Sequence, residues 1–265
     1  MFRIGWFSTG RDKAARDLLL AVWNSIGSGH LKAGISFVFS NREPSEDAES
    51  DLFFDMVRGY RLPLIQLSSR RFQTAGGAYL SPEWRLEYDR EAMKRLDGYN
   101  HDICILAGYM LIVGPEMCRR YTMINLHPAA PGGPTGTWQE VIWKLIESAA
   151  EQTGVMMHLV TPELDKGPPV AYCRFPIRGA PFDSYWNELK SRSVDSIKAE
   201  EGEGNRLFIT IRQYGLAREF PLIIATLKAL SEGKVRIGEG KVLSASGEVI
   251  AGYDLTGEIN EAVKG

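Results

Sequence analysis

The sequence predicts an α/β protein, an open and mostly parallel Rossmann-like sheet followed by a C-terminal helix and hairpin extension. Two observations lead there. From Phe2 to about Val160, short β-branched and apolar runs alternate with longer stretches of helical periodicity, the order that gives strands joined by crossover helices. Prolines also fall where helices should begin: Pro82 precedes Glu83 and Pro115 precedes Glu116, first-turn positions where a missing N–H leaves no bond unmade. Repeated strand-turn-helix units favour right-handed connections in one open sheet.

In chain order, the expected strands are Phe2 to Phe7, Ile35 to Phe39, Leu64 to Leu67, Asp102 to Ala107, Met123 to His127 and Val155 to Val160. Helices lie between them. Asp12 to Ile26 places Leu18, Leu19, Val22, Trp23 and Ile26 on one face, and Asp47 to Val57, Glu83 to Leu96 and Trp138 to Ala149 show similar spacing. Ser68 to Pro82 is a loop of about fifteen residues, long enough for a lid or a specific extension. Ser191 to Arg206 is polar and glycine-bearing and reads as a mobile insertion. Leu216 to Leu230 is strongly helical, and Val235 to Tyr253 alternates apolar and polar residues about Gly238-Glu239-Gly240 and Ser246-Gly247, the pattern of terminal hairpins. The expected organisation is a main domain over 1–190, the insertion over 191–206, and residues 207–265 packing on the same domain.

Composition narrows the function classes. The 265 residues carry 31 Lys+Arg against 33 Asp+Glu, a net charge of −2, which argues against a nucleic-acid binder needing a basic excess. With 44% hydrophobic and 24% charged residues, the chain can bury a large core. Its apolar runs fall far below the roughly 18 to 20 residues that span a bilayer, so no membrane partner is expected. Met1 to Phe7 reads as a first strand and not as a signal peptide, and the cytoplasm is the expected location. Cys104, Cys118 and Cys173 are odd in number and widely spaced, which indicates neither a disulfide framework nor a zinc site.

The most informative stretch is Met123-Ile124-Asn125-Leu126-His127-Pro128. Side chains alternate along a strand, so Asn125 and His127 project together, and Pro128 ends the ladder just beyond them. Open α/β sheets bind ligands at that end. An amide donor beside an imidazole suits acyl transfer, one binding the oxygen that gains negative charge and the other handling protons. The motif alone equally fits a strand end satisfied by local hydrogen bonds. A second segment, Thr153-Gly154 leading into a strand with His158, is followed by Glu163-Leu164-Asp165-Lys166-Gly167-Pro168. Asp165 sits at the tip of this rigid, sharply turning loop. Brought near His127, its carboxylate is expected to raise the imidazole's pKa and hold it protonated, or to orient a water. His158 fits a place beneath the site as well as it fits a core position.

These motifs together closely resemble the catalytic core of the 10-formyltetrahydrofolate-dependent formyltransferases, and in particular the branch acting on glycinamide ribonucleotide. Tyr88-Asp89-Arg90-Glu91, Leu106-Ala107-Gly108-Tyr109-Met110 and Ser40-Asn41-Arg42 extend the likeness, which runs in register from about Ile4 to Ile177. The resemblance implies the formyltransferase fold and formyl transfer from 10-formyltetrahydrofolate to a phosphorylated amine in purine biosynthesis, with no metal. It also implies residue roles. Asn125 would bind the formyl oxygen, His127 would act as the acid, and Asp165 would support that histidine and a water. Arg85, Met110, Leu111, Ile112, Val113 and Leu164 would contact the folate. The turn Gly10, Arg11, Asp12 and Lys13 would take the acceptor's phosphate.

The chain departs from the family at several of these positions. Leu111 stands where the family usually has an arginine. The phosphate turn normally reads Gly-Ser-Asn; here it is Gly10-Arg11-Asp12, whose helix opening still offers N–H groups but whose Asp12 suits an N-cap better than an anion site. Ala129-Ala130-Pro131-Gly132-Gly133-Pro134 replaces a serine and two leucines after Pro128. The ribose-binding glutamate of the late helix aligns with Leu216, and Glu219 lies one turn away. Trp138 could wall the acceptor pocket. Three alternatives stay open: a different amine acceptor, hydrolysis to formate, or a folate- or nucleotide-binding protein with a decayed acceptor site. The sequence does not give the oligomeric state.

Overall fold

The computed structural model describes residues 1–74, 77–190 and 192–264. Ten strands and nine helices follow in the order β1 (Phe2–Phe7), α1 (Lys13–Gly27), β2 (Ala33–Ser40), α2 (Ala48–Gly59), β3 (Leu64–Gln66), α3 (Pro82–Arg95), β4 (Ile103–Leu106), α4 (Pro115–Arg120), β5 (Met123–His127), α5 (Trp138–Glu147), β6 (Gln152–Leu159), β7 (Pro169–Pro176), α6 (Phe182–Leu189), α7 (Val194–Glu200), α8 (Arg206–Ser231), β8 (Val235–Gly238), β9 (Lys241–Ser244), β10 (Tyr253–Asp254) and α9 (Thr256–Ala262), counted among the described residues.

Eight strands form one sheet in the order β10-β7-β6-β5-β4-β1-β2-β3. Pairing is parallel from β3 through β2, β1 and β4 to β5, then antiparallel from β5 to β6 and from β6 to β7. The mostly parallel sheet expected from the alternation is therefore present, with an antiparallel turn at β6. Alternation within β1 feeds both layers. Ile4 and Trp6 enter a core with α1, α2 and α8, whereas Phe7 enters one with α3 and α4. A third cluster under α5, α6 and the start of α8 is built on Trp186, Phe175 and Phe208.

Strand adjacency positions the site. Phe7 pairs with Leu106, and Leu106 with Asn125, so β1, β4 and β5 end side by side and their following loops converge. Asp12 caps α1, its carboxylate accepting the Ala15 N–H at 2.9 Å. Thr137 and Glu140 close a capping box on α5. Among the described residues no helix is long and apolar enough to cross a membrane.

The carboxyl-terminal third differs from the expectation. Strand β7 and helices α6, α7 and α9 were not expected. The segment expected as a mobile insertion holds α7 and a short 3-10 turn at Gly202–Gly204, with Arg192 paired to Glu200 and Glu201; Ser191, its first residue, lies outside the described residues, as do Ala75 and Gly76 of the long loop. Helix α8 begins at Arg206, a full ten residues before the expected start. Both expected reversals are present: β8 pairs with β9 about Gly238-Glu239-Gly240, and β9 turns back about Ser246-Gly247 through an antiparallel bridge between Leu243 and Val249, whereas Tyr253 and Asp254 pair with Ala171 and Tyr172 at the edge of the main sheet.

Gly154 marks a close approach of β6 to β7 and to the loop after β5: a Cβ there would stand 2.2 Å from the Cys173 carbonyl oxygen and 2.9 Å from the Ala130 Cβ. Gly154→Ala should lower the unfolding free energy by about 1–3 kcal/mol, the usual cost of overpacking, read as a fall in the urea midpoint at unchanged slope.

Candidate active site

Asn125 and His127 share one face of β5, and the antiparallel register places His158 of β6 directly across from Asn125 and Met156 across from His127. Beyond Leu159 the chain folds back so that Asp165 reaches both imidazoles. Its Oδ2 stands 3.8 Å from His127 Nδ1 and its Oδ1 3.6 Å from His158 Nε2. The loop is held in three ways. Gly136 donates its N–H to Asp165 Oδ2 at 3.2 Å. Asp165 adopts φ 54°, the left-handed region that aspartate tolerates better than most side chains. At Gly167 a Cβ would fall 1.6 Å from the Leu159 carbonyl oxygen, so only glycine lets the returning chain pass the end of β6.

Hydrogen-bond partners fix the tautomers. His127 Nε2 lies 2.9 Å from the Pro134 carbonyl, which can only accept, so Nε2 carries the hydrogen and Nδ1 is left towards Asp165. His158 Nδ1 similarly donates to the Leu159 carbonyl at 3.0 Å. Its Nε2 is therefore free to accept from Asn125 Nδ2 at 3.2 Å. That bond orients the Asn125 amide and leaves its second N–H for another acceptor.

Burial and charge oppose each other here. Burial is the largest influence on His127 and lowers its pKa below the ordinary histidine value; the Pro134 bond and the Asp165 charge push upward but do not restore it. Asp165 does push the His127 pKa upward, as expected, but it does not hold the ring protonated against burial. The carboxylate is present, yet an imidazole with a side chain 3% exposed loses more hydration than a carboxylate 3.8 Å away returns. For Asp165 itself burial acts upward, but His158, His127 and the Gly136 N–H together hold it below its usual range.

A cleft of about 350 Å³ opens on these residues, within the size range of small-molecule sites. Asn125, His127 and Asp165 line it, as do Met110, Leu111, Ile112, Leu164, Arg11 and Asp12. A smaller pocket of about 60 Å³ adjoins it, walled by Leu106, Leu111, Ile112, Val113, Val160 and Leu164 and shared with Asn125, His158 and Asp165. The loop between them is pinned at both ends: Met110 N donates to Thr9 Oγ1 at 3.0 Å and Gly114 N to Asp89 Oδ2 at 2.6 Å. Three expected residues lie elsewhere. Arg85 lines neither cavity; one turn before Asp89 on α3, its charge acts on that buried carboxylate. Gly10 spends its N–H on Ser8 Oγ at 3.2 Å, and Lys13 turns its ammonium to Asp17.

Other cleft residues had weak signals or none. His158 was legible only through register. Trp138 does wall the cleft, and Glu219, not Leu216, reaches it. Arg212 and Glu140 were missed, although Arg212 and Glu219 stand seven residues apart, two turns along one helix face.

The formyl transferase family model matches residues 16–187, well over half of the chain. Phosphoribosylglycinamide formyltransferase of Escherichia coli (strain K12) is 33% identical over 99 residues, covering 35% of this chain and 44% of the relative. That of Haemophilus influenzae is 25% identical over 239 residues, covering 86% and 92%. This chain spans less than half the length of the first two curated relatives it matches. The solved phosphoribosylglycinamide formyltransferase of Coxiella burnetii superposes with a TM-score of 0.69 at 19% identity over 96% of this chain and 98% of that one, a likeness of fold.

Because burial depresses His127 in the folded protein, the folded state takes up this proton less readily than the unfolded one. The stability contribution is complete above the ordinary histidine value of 6.5 and is lost as pH falls below it. In the ligand-free protein the His127 ring should titrate below that value by NMR, and Asp165→Asn should lower its midpoint further by removing an upward influence. A midpoint above 6.5 would contradict the balance described. The site's geometry and the matched segment agree, and the chain belongs to the formyl transferase family.

Proposed function

We propose that this protein transfers the formyl group of 10-formyltetrahydrofolate to a primary amine, with glycinamide ribonucleotide as the acceptor, in cytoplasmic purine biosynthesis. The observation that carries the reading is the convergence of Asn125, His127 and Asp165 on one cleft, with His158 beside them lining the adjoining pocket. The end of the cleft that runs into this pocket would take the flat reduced pterin. Leu111, Ile112, Val113 and Leu164 would cover its faces, with Met110 at the mouth, 48% exposed. The bound donor supplies an activated carbonyl carbon.

The amine nitrogen attacks that carbon, and the carbonyl oxygen gains negative charge. The free N–H of Asn125, aimed by His158, donates to this oxygen as the charge grows, the form of stabilisation that contributes most to acyl transfer. His127, neutral at rest, accepts the proton released by the attacking nitrogen. The resulting imidazolium stands 3.8 Å from Asp165, whose charge now favours it. His127 then returns the proton to the folate nitrogen as the carbon–nitrogen bond breaks, acting as the acid. One histidine thus serves as base and acid in turn, which requires a pKa low enough to be free beforehand and a counter-charge afterwards.

His127→Ala should reduce formyl transfer by about 10²–10⁴-fold and Asn125→Ala by about 10²–10³-fold, each leaving folate binding by calorimetry within a few-fold. The assay follows loss of the 10-formyl chromophore with glycinamide ribonucleotide present. Turnover unchanged in His127→Ala would remove the proposed chemistry.

A further inference from the structure

Resting on the formyl-transfer reading, the structure also bears on how a phosphorylated acceptor is held. The turn after β1 keeps the N–H groups that open α1, but its side chains have little left to offer an anion. Thr9 Oγ1 donates to Asn41 Oδ1 at 2.7 Å and accepts the Met110 N–H at 3.0 Å, while Ser8 Oγ accepts the Gly10 N–H at 3.2 Å. Asp12 caps α1 with one oxygen and holds the other 3.4 Å from Arg11 Nε. A phosphate dianion at this helix start would meet a fixed carboxylate of like charge.

A different cation is available in the same cleft. Helix α8 carries Arg212, whose guanidinium lies over the Trp138 ring, 4.8 Å from its centroid, and whose Nη1 donates to Glu219 Oε1 at 2.6 Å. That is its single hydrogen bond among the described residues, and the fork has five N–H donors. Arg212 and Arg11 are the two Lys or Arg side chains lining the cleft. Its place over Trp138 and its bond to Glu219 hold the Arg212 guanidinium in the cleft in advance, so less side-chain freedom remains to be lost when a planar fork engages two oxygens. We propose that Arg212 is the specificity-determining residue for the acceptor, binding its phosphate monoester with Arg11 as a second point of contact, in place of the hydroxyl-and-amide turn used elsewhere in the family.

The test compares glycinamide ribonucleotide with the same amine lacking phosphate, glycinamide riboside, in the unsubstituted protein, Arg212→Gln, Arg212→Lys and Arg11→Gln. The unsubstituted protein should favour the phosphorylated acceptor by about tenfold or more in kcat/KM, mostly through KM, the range expected for charge-assisted hydrogen bonds. Arg212→Gln should erase most of that preference while leaving the riboside rate within about threefold; Arg212→Lys should keep part of it, and Arg11→Gln should cut it by a smaller factor. Thermal melts report whether each variant folds, and the lysine and Arg11 variants decide the matter should the glutamine one not. Equal losses on both acceptors would assign Arg212 to structure alone and overturn the inference, as would a preference that survives Arg212→Gln intact or an unsubstituted protein indifferent to phosphate. Failure of the unsubstituted protein to formylate either acceptor, with folate still bound, would instead overturn the formyl-transfer reading.

Discussion

A carboxylate held between two imidazoles is the constraint on which the cleft depends. Asp165 can stand near both His127 and His158 only because the chain doubles back past the end of β6, and that path exists only because Gly167 has no Cβ to strike the Leu159 carbonyl. The left-handed conformation of Asp165 and the N–H of Gly136 then fix where its two oxygens lie. One oxygen serves each histidine. Without this loop the β5 motif would be two polar side chains at a strand end, with no counter-charge for a proton held on His127.

The distance matters as much as the contact. At 3.8 Å the carboxylate is too far for a normal hydrogen bond and close enough to act by charge. It therefore fails to reverse the cost of burying a charged His127, and the resting imidazole stays neutral. With Nε2 already committed to the Pro134 carbonyl, a carboxylate bonded directly to Nδ1 would have favoured the imidazolium over the neutral ring. Loose placement thus suits a group that must first take a proton and then release it, and it matches the usual observation that catalytic contacts tighten only with substrate present.

Much of this was legible in the sequence, and the reasons for the gaps are physical. The strands of the parallel half could be read because each is a short apolar run followed by an amphipathic helix; β1 and β5 were placed at their observed bounds. Asn125 and His127 followed from alternation, and Asp165 from the resemblance and its glycine-proline loop. Strand β7 escaped because Pro169–Pro176 mixes tyrosine and arginine among its apolar residues, and the helix at Val194–Glu200 because its single buried residue, Ile197, gives no amphipathic stripe. The protonation state of His127 was misjudged because burial is a tertiary quantity that spacing does not encode. Arg212 was missed because its helix continues ten residues upstream of the expected start, where it lies between the buried Ile211 and the half-buried Tyr214 and its contact with Trp138 is made across the fold.

The two walls of the cleft therefore answer to different parts of the chain. The chemistry sits on the sheet, where Asn125, His127 and His158 are fixed by strand register and cannot shift without breaking the ladder between β5 and β6. The facing wall comes from outside it: Trp138 opens α5, Arg212 and Glu219 lie on α8, and Arg11 and Asp12 flank the start of α1. Helix surfaces tolerate exchange of side chains far better than paired strands do, since an exposed helix position answers to solvent and one or two neighbours. A change from amide to carboxylate at Asp12 and the presence of a stacked guanidinium across the cleft can then coexist with an undisturbed proton-transfer centre.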